Sequence, residues 1–469
     1  MTHHSSRRRA VAAAVAMFAV SSFAPSPAYG QRAPLASDGK FGGSPNVHVL
    51  GHIEMGGFFR VGGMDMESEP SRPYMYATRI LDEAGFSIVN IADPRKPKVI
   101  FDWRIPNVEQ HSGVGGEAGK YFKLKGRYYY AKCLQFEANT PDYDLSMIVF
   151  DVTGLPDVSK VKEVARVHGG PTTHVFPYKH SDGRVILFST PGPSQGVNIY
   201  DAEKLIAGDA KEGLIGHVGS ASAQPTRAPD GTVRNPSFHD TYAAYDPAKQ
   251  RDVLFGAGTG GFYVWDVSRP EEAKLLTSLT AGGGVIVGGH TIQASPDQRY
   301  AVTEVEKAYF PVMVFDLQPG LEQNVPLIGT PVGAWTADWR DLSHDSDLRW
   351  PYLFVAAYED GFQVVSLADP KDPRTVGWYY TCECAHNTGY GGIRNVRGTS
   401  AMNGAGDVHV RNYDGLIAVS DYTSGLWLFK VDGFDGWNGA KYRLPNISSE
   451  QDWDGGPARG TATKPRSTP

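Results

Sequence analysis

The chain has 469 residues and a formal net charge of −6, with no dense lysine or arginine stripe, which excludes nucleic acid as an expected partner. That length would fit two or three ordinary domains, but internal repeats override this prior and let one closed array use nearly all of it. Cys133, Cys382 and Cys384 are too few for a disulfide framework and contain no C-x-x-C pair for structural zinc, so they are read as free thiols, the last two in a loop.

In chain order, Ser6-Arg7-Arg8-Arg9, the apolar run Ala10 to Val20 and the small residues around Ala28-Tyr29-Gly30 make residues 1–30 a signal peptide cut near Gln31. The apolar run is shorter than the roughly 20 residues of a membrane span, so the mature protein is expected in the periplasm or outside the cell, without stable membrane insertion. Residues 31–45 form a Gly/Ser/Pro linker, and Asn46 to Glu54 form a lone strand. A pair of strands then recurs seven times. The pairs are Tyr74 to Thr78 with Phe86 to Ile91, Tyr128 to Cys133 with Met147 to Val152, Val185 to Thr190 with Val197 to Asp201, and Val253 to Gly258 with Phe262 to Val267. They continue as Tyr300 to Glu304 with Val312 to Leu317, Tyr352 to Ala357 with Phe362 to Leu367, and Leu416 to Asp421 with Leu426 to Val431. The β-branched and aromatic content, broken by turn formers, is that of short strands.

Three pairs end almost identically: Gly85-Phe-Ser-Ile-Val-Asn-Ile-Ala-Asp93-Pro, Gly261-Phe-Tyr-Val-Trp-Asp-Val-Ser268-Arg-Pro and Gly361-Phe-Gln-Val-Val-Ser-Leu-Ala-Asp369-Pro. These endings resemble the LVIVD repeat, a family of propeller-forming modules. A period of roughly 50 to 60 residues of strand and turn suits a four-stranded blade. The expected fold is therefore an all-β, seven-bladed β-propeller over residues 46–435. The strand around Val47 to Glu54 completes the last blade and hides two sheet edges. The Gly-, Pro- and charge-rich residues 436–469 are expected to be a flexible tail.

Aligning the repeats puts Asp65, His174, His239, His290, His344 and His409 at equivalent openings of first strands. Blade 2 leaves His111 and Glu117 as alternatives, and second strands end at Arg79, Cys133, Thr190, Glu304 and Asp421. Several imidazoles around one axis repel if protonated and leave nitrogens unsatisfied if neutral, and a metal resolves both problems. Imidazole with carboxylate suits a divalent transition metal, Mn or Zn, as one or two ions, with Cu or Fe as alternatives. The expected ligands are Glu117, His174, His239, His290, Glu304, His344, His409 and His111, with Glu304 or Asp421 bridging and Arg79 holding an anionic substrate or transition state.

The ligand types at Glu117, His174, His290, Glu304 and His409 resemble those of the manganese-dependent propeller phosphotriesterases that hydrolyse haloalkyl phosphates. The resemblance implies a metal-dependent hydrolase acting on a small-molecule phosphotriester or other ester through metal-activated water. One alternative is a copper or iron oxidase with a His-lined channel, as in propellers resembling methanethiol oxidase. A non-enzymatic interaction propeller is the other.

Overall fold

The structure, a computed structural model, describes residues 41–457 apart from 58, 192–195, 220–225, 228–232, 235–236, 281–287, 308, 340, 384–402 and 440–449. The expected signal peptide, residues 31–40 of the linker and Cys384 lie outside the described residues. Cys382 is disulfide-bonded, against the expectation of a loop thiol, whereas Cys133 is free and buried.

The chain is an all-β, seven-bladed propeller whose blades are antiparallel sheets, with Leu327–Ile328 added in parallel to the outer strand of blade 4. The first strands of blades 1 to 7 are Val61–Met66, Gly119–Leu124, Thr172–Lys179, Phe238–Asp246, Thr291–Ala294, Asp345–Arg349 and Ala405–Val410. Each touches the first strands of the blades on either side, and that of blade 7 touches that of blade 1, so the ring is closed around a channel. The repeated strand pairs read from the sequence are the second and third strands of the blades.

The repeat has a steric cause. Gly85, Gly196, Gly261, Gly361 and Gly425 open or directly precede third strands in five blades, where a Cβ would lie 1.9, 2.0, 2.3, 2.4 and 2.4 Å from a carbonyl of the fourth strand. Only glycine allows that approach. The phenylalanines that follow three of them, Phe86, Phe262 and Phe362, are fully buried. Where the repeat ends in aspartate, the carboxylate turns the chain by accepting a backbone N–H two residues on, as at Asp93 to Arg95 (3.1 Å) and Asp369 to Lys371 (3.0 Å).

The last blade takes its outer strand from the N-terminal side. Val47–Ile53 pairs antiparallel with Gly425–Val431, from Val47 opposite Val431 to Ile53 opposite Leu426. Gly42–Gly43, at the end of the expected linker, also pairs with Tyr379 and Tyr380 on the outer edge of blade 6.

The tail expected to be flexible contains an ordered stretch at the end of the channel where the first strands finish. The Gln451 side chain accepts from Lys179 N (2.7 Å) and donates to Pro177 O (2.7 Å). Trp453 Nε1 donates to Tyr121 Oη (3.3 Å), and the Glu450 carboxylate accepts from Asn412 N. All three tail side chains are buried. Composition suggested solvation, but Trp453 supplies apolar area and Gln451 satisfies backbone groups that would otherwise end unpaired.

Deleting residues 41–54 strips the outer strand from blade 7 and exposes its edge. The melting temperature followed by circular dichroism is expected to fall by about 5 °C or more, because several kcal/mol of strand pairing and packing go with it. An unchanged melt would contradict closure by this strand.

Candidate metal centre

Four successive blades each bring one imidazole to the same end of the channel. Thr190 Oγ1 accepts from His174 N (3.0 Å) and donates to the His239 carbonyl (2.8 Å), fixing the backbone of blades 3 and 4 to each other. His290 N donates to Glu304 O (2.9 Å) and His344 N to Ala356 O (3.0 Å), extending each first strand's ladder by one residue. The rings then follow one another with centroid separations of 4.9 Å (His174 to His239), 4.0 Å (His239 to His290) and 4.6 Å (His290 to His344).

Blade 2 contributes Glu117. Its carbonyl accepts from Gly63 N (2.7 Å) and Thr78 Oγ1 (2.6 Å) of blade 1. A Cβ at Gly63 would sit 2.9 Å from that oxygen and 3.0 Å from an Asp407 carboxylate oxygen, so the glycine is what lets Glu117 approach the axis.

Two groups result. Glu117, His174 and His239 form one, and His239, His290 and Glu306 the other; within each, the available ligand atoms lie within 4.8 Å of one another. His239 belongs to both. His174 Nε2 and both ring nitrogens of His290 are buried without a hydrogen-bond partner, and the nearest His290–Glu306 approach, 3.6 Å, is beyond a hydrogen bond. Buried polar atoms are ordinarily satisfied, and orphaned imidazole nitrogens facing carboxylates at this spacing are what a metal ion satisfies.

The electrostatics agree with a ligand role. Burial, reinforced by the His239, His344 and His174 imidazoles, holds the His290 pKa well below its usual value, so the ring is neutral and able to donate a lone pair. Burial would also lower His344, but Glu117, at 3.4 Å, outweighs it and raises that pKa to about 10. Burial acts on Glu117 in the opposite sense, and His344 and Tyr422 together overcome it, leaving the carboxylate ionised.

Several residues expected here lie elsewhere. His409 and Asp65 sit farther along their strands and meet each other (Nδ1 to Oδ1, 3.1 Å). The alignment that equated them with the other histidines is out by two to three residues: the first strands of blades 1, 3, 4 and 7 all open on a register shift, and the bulged positions that carry His174 and His239 in blades 3 and 4 carry Gly63 in blade 1 and Gly406 in blade 7. Glu304 is outside both groups. One of its oxygens is 3.2 Å from Thr291 Oγ1, and burial raises its pKa to about 7. Asp421 shapes the turn after its strand, accepting from Thr423 N (2.8 Å), Ser424 N (2.7 Å) and Thr381 Oγ1 (2.6 Å). Arg79 donates to Met55 O (2.6 Å) and pairs with Glu83. His111 is held by Asn107 O (2.9 Å) and Asp142 (2.8 Å) on the connection before blade 2.

Sequence reasoning missed Glu306. The Glu304-Val-Glu306 alternation carried the signal, but only the end of the second strand at Glu304 shows which of the two acids turns toward the axis.

Fold and site together define a seven-bladed β-propeller with a candidate histidine and carboxylate metal centre at one end of its channel. No protein-family model matches the chain, and no curated protein matches it; the LVIVD resemblance rests on the repeat endings alone.

Replacing Glu306 by Gln is expected to weaken Mn or Zn binding by at least the 10 to 100-fold typical of losing a ligand's supporting partner, with Glu304→Gln changing it by less than about 3-fold. Calorimetric titration of metal-stripped protein checks both. Equal losses in the two variants would remove Glu306 from the site.

Proposed function

We propose that this protein is an exported, divalent-metal-dependent hydrolase that cleaves phosphotriesters or other esters at the mouth of the propeller channel. The observation that carries the reading is the pair of carboxylate and imidazole groups sharing His239. Two carboxylates among three imidazoles make a mixed oxygen and nitrogen set, which suits Mn or Zn; an all-imidazole or sulfur-containing set would have favoured copper. Such an ion supplies Lewis-acid polarisation and lowers the pKa of bound water, to about 7 for zinc.

The protein's own groups have separable tasks. Glu117 and Glu306 offset the charge of the ions, and His174, His239 and His290 offer imidazole nitrogens. His344 is held by its Nδ1 on the Gly406 carbonyl, which leaves Nε2 directed at Glu117. Glu304, Asp421 and Arg79 have no part in this scheme. Channel histidines with glutamates around one or two ions resemble the manganese-dependent propeller phosphotriesterases, and that likeness supports the choice of substrate class. Among the described residues no helix is long and apolar enough to cross a membrane. The reading of the N-terminal residues as a signal peptide supports export.

Protein stripped of metal and reloaded with Mn, Zn or Co is expected to hydrolyse activated phosphotriesters or carboxylic esters. His290→Ala should lose about 10²-fold or more of that rate, a loss comparable to removing one transition-state stabilising donor. Oxygen uptake by a copper form, with no ester hydrolysis by any metal form, would replace the hydrolase with an oxidase. Absence of bound metal at stoichiometric loading would leave an interaction propeller.

A further inference from the structure

Two tyrosines outside the candidate ligand set reach both of its carboxylates. Tyr358 follows the second strand of blade 6 (Tyr352–Ala356), and Tyr422 follows that of blade 7 (Ile417–Asp421). The Tyr358 hydroxyl donates to Glu306 Oε1 at 2.7 Å. The Tyr422 hydroxyl donates to Glu117 Oε1 from across the mouth. Each metal group contains one of these glutamates.

Both rings are fully buried and pack edge-on against His344, with centroids 5.1 and 5.9 Å from it. Their backbones are fixed in parallel ways. Tyr358 exchanges two hydrogen bonds with Ala405 of blade 7 (3.0 and 2.9 Å), while Tyr422 N donates to Gly404 O (2.8 Å) and its carbonyl accepts from Phe59 N (2.5 Å). Tyr358 also holds a left-handed backbone, φ +40°, which is uncommon for a bulky residue and persists only where the surroundings enforce it.

The two carboxylates are engaged differently: in Glu117 the phenol and His344 Nε2 (3.4 Å) both lie on Oε1, whereas Glu306 divides its oxygens. In Glu306, Oε1 is engaged by the phenol, whereas Oε2 faces His290 Nε2. A carboxylate whose outer oxygen accepts a hydrogen bond and whose inner oxygen faces imidazole nitrogens is arranged to bind an ion through one oxygen.

We propose that Tyr358 and Tyr422 are positioning residues of the metal centre, one for each ion position, setting Glu306 and Glu117 as one-oxygen ligands. This inference rests on the metal-centre reading above. It excludes a purely packing role for the two hydroxyls, since a tyrosine needed only for its ring is replaced by phenylalanine without consequence for metal.

The test uses full-length, metal-stripped protein titrated with Co(II) in competition with a chelator, reading affinity and the visible absorption of the bound ion. Tyr358→Phe and Tyr422→Phe are each expected to weaken binding by about 10 to 100-fold and to shift the cobalt bands, while the melt of the metal-free protein stays that of the wild type. In a His174→Ala background, which removes the group containing Glu117, the Tyr358→Phe effect should persist and the Tyr422→Phe effect should vanish. Wild-type cobalt binding with unchanged affinity and spectrum in both phenylalanine variants would overturn the positioning role and leave the centre standing. Wild-type protein that binds no cobalt would overturn the centre and this inference with it.

Discussion

Closing seven sheets into a ring forces the openings of their first strands into a space too narrow to hydrate each polar side chain separately. Every group placed there must find a partner inside the channel or leave an unsatisfied, desolvated atom. Blades 3 to 6 nevertheless each place a histidine at this level, and their rings stand 4.0 to 4.9 Å apart. They cannot all be protonated beside one another, and among them His290 finds no hydrogen-bond partner for either nitrogen. The architecture that makes the fold stable therefore gathers candidate ligands for a cation at one end of the axis.

Deeper in the channel the protein supplies part of its own charge compensation. Lys120 extends among Asp407, Asp65, Asp345 and Asp240, whose carboxylates hold its ammonium protonated against the effect of burial. Asp65 in turn takes His409, and burial raises the Asp65 pKa to about 7. At the far end the tail brings Glu450 to 3.7 Å from His409, and burial raises the pKa of that acid to about 8. A built-in cation among the aspartates and a tail across the exit offset part of the charge of the lower channel, where burial and the neighbouring Asp407 and Asp240 still hold the Asp345 pKa well above its usual value.

The sequence was informative where the physics is periodic. Gly361-Phe362 and Asp369-Pro370 recur because in the blades that share them a third strand passes against a carbonyl and then turns. Closure by Val47–Ile53 was legible because a last blade short of a strand and a spare strand before the first blade answer each other. The histidines of blades 3 to 6 followed from the same periodicity. His409 did not, because the position in blade 7 that matches His239 is Gly406, and a histidine three residues further along the strand mimics the pattern without sharing its level. Glu306 and the two tyrosines lie just beyond strand ends, where side-chain direction is set by the turn and by contacts with the next blade. Composition likewise could not show that Gln451 and Trp453 bridge blades 2 and 3.

An ion held among Glu117, His174, His239, His290 and Glu306 would be seen by anomalous X-ray scattering from crystals of protein loaded with zinc, with data collected on either side of the zinc absorption edge. One or two anomalous peaks are expected around His239, within about 2.0–2.2 Å of imidazole nitrogens and glutamate oxygens. Fully loaded crystals that show no peak there, or only a peak among Asp240, Asp345 and Asp407, would contradict this placement.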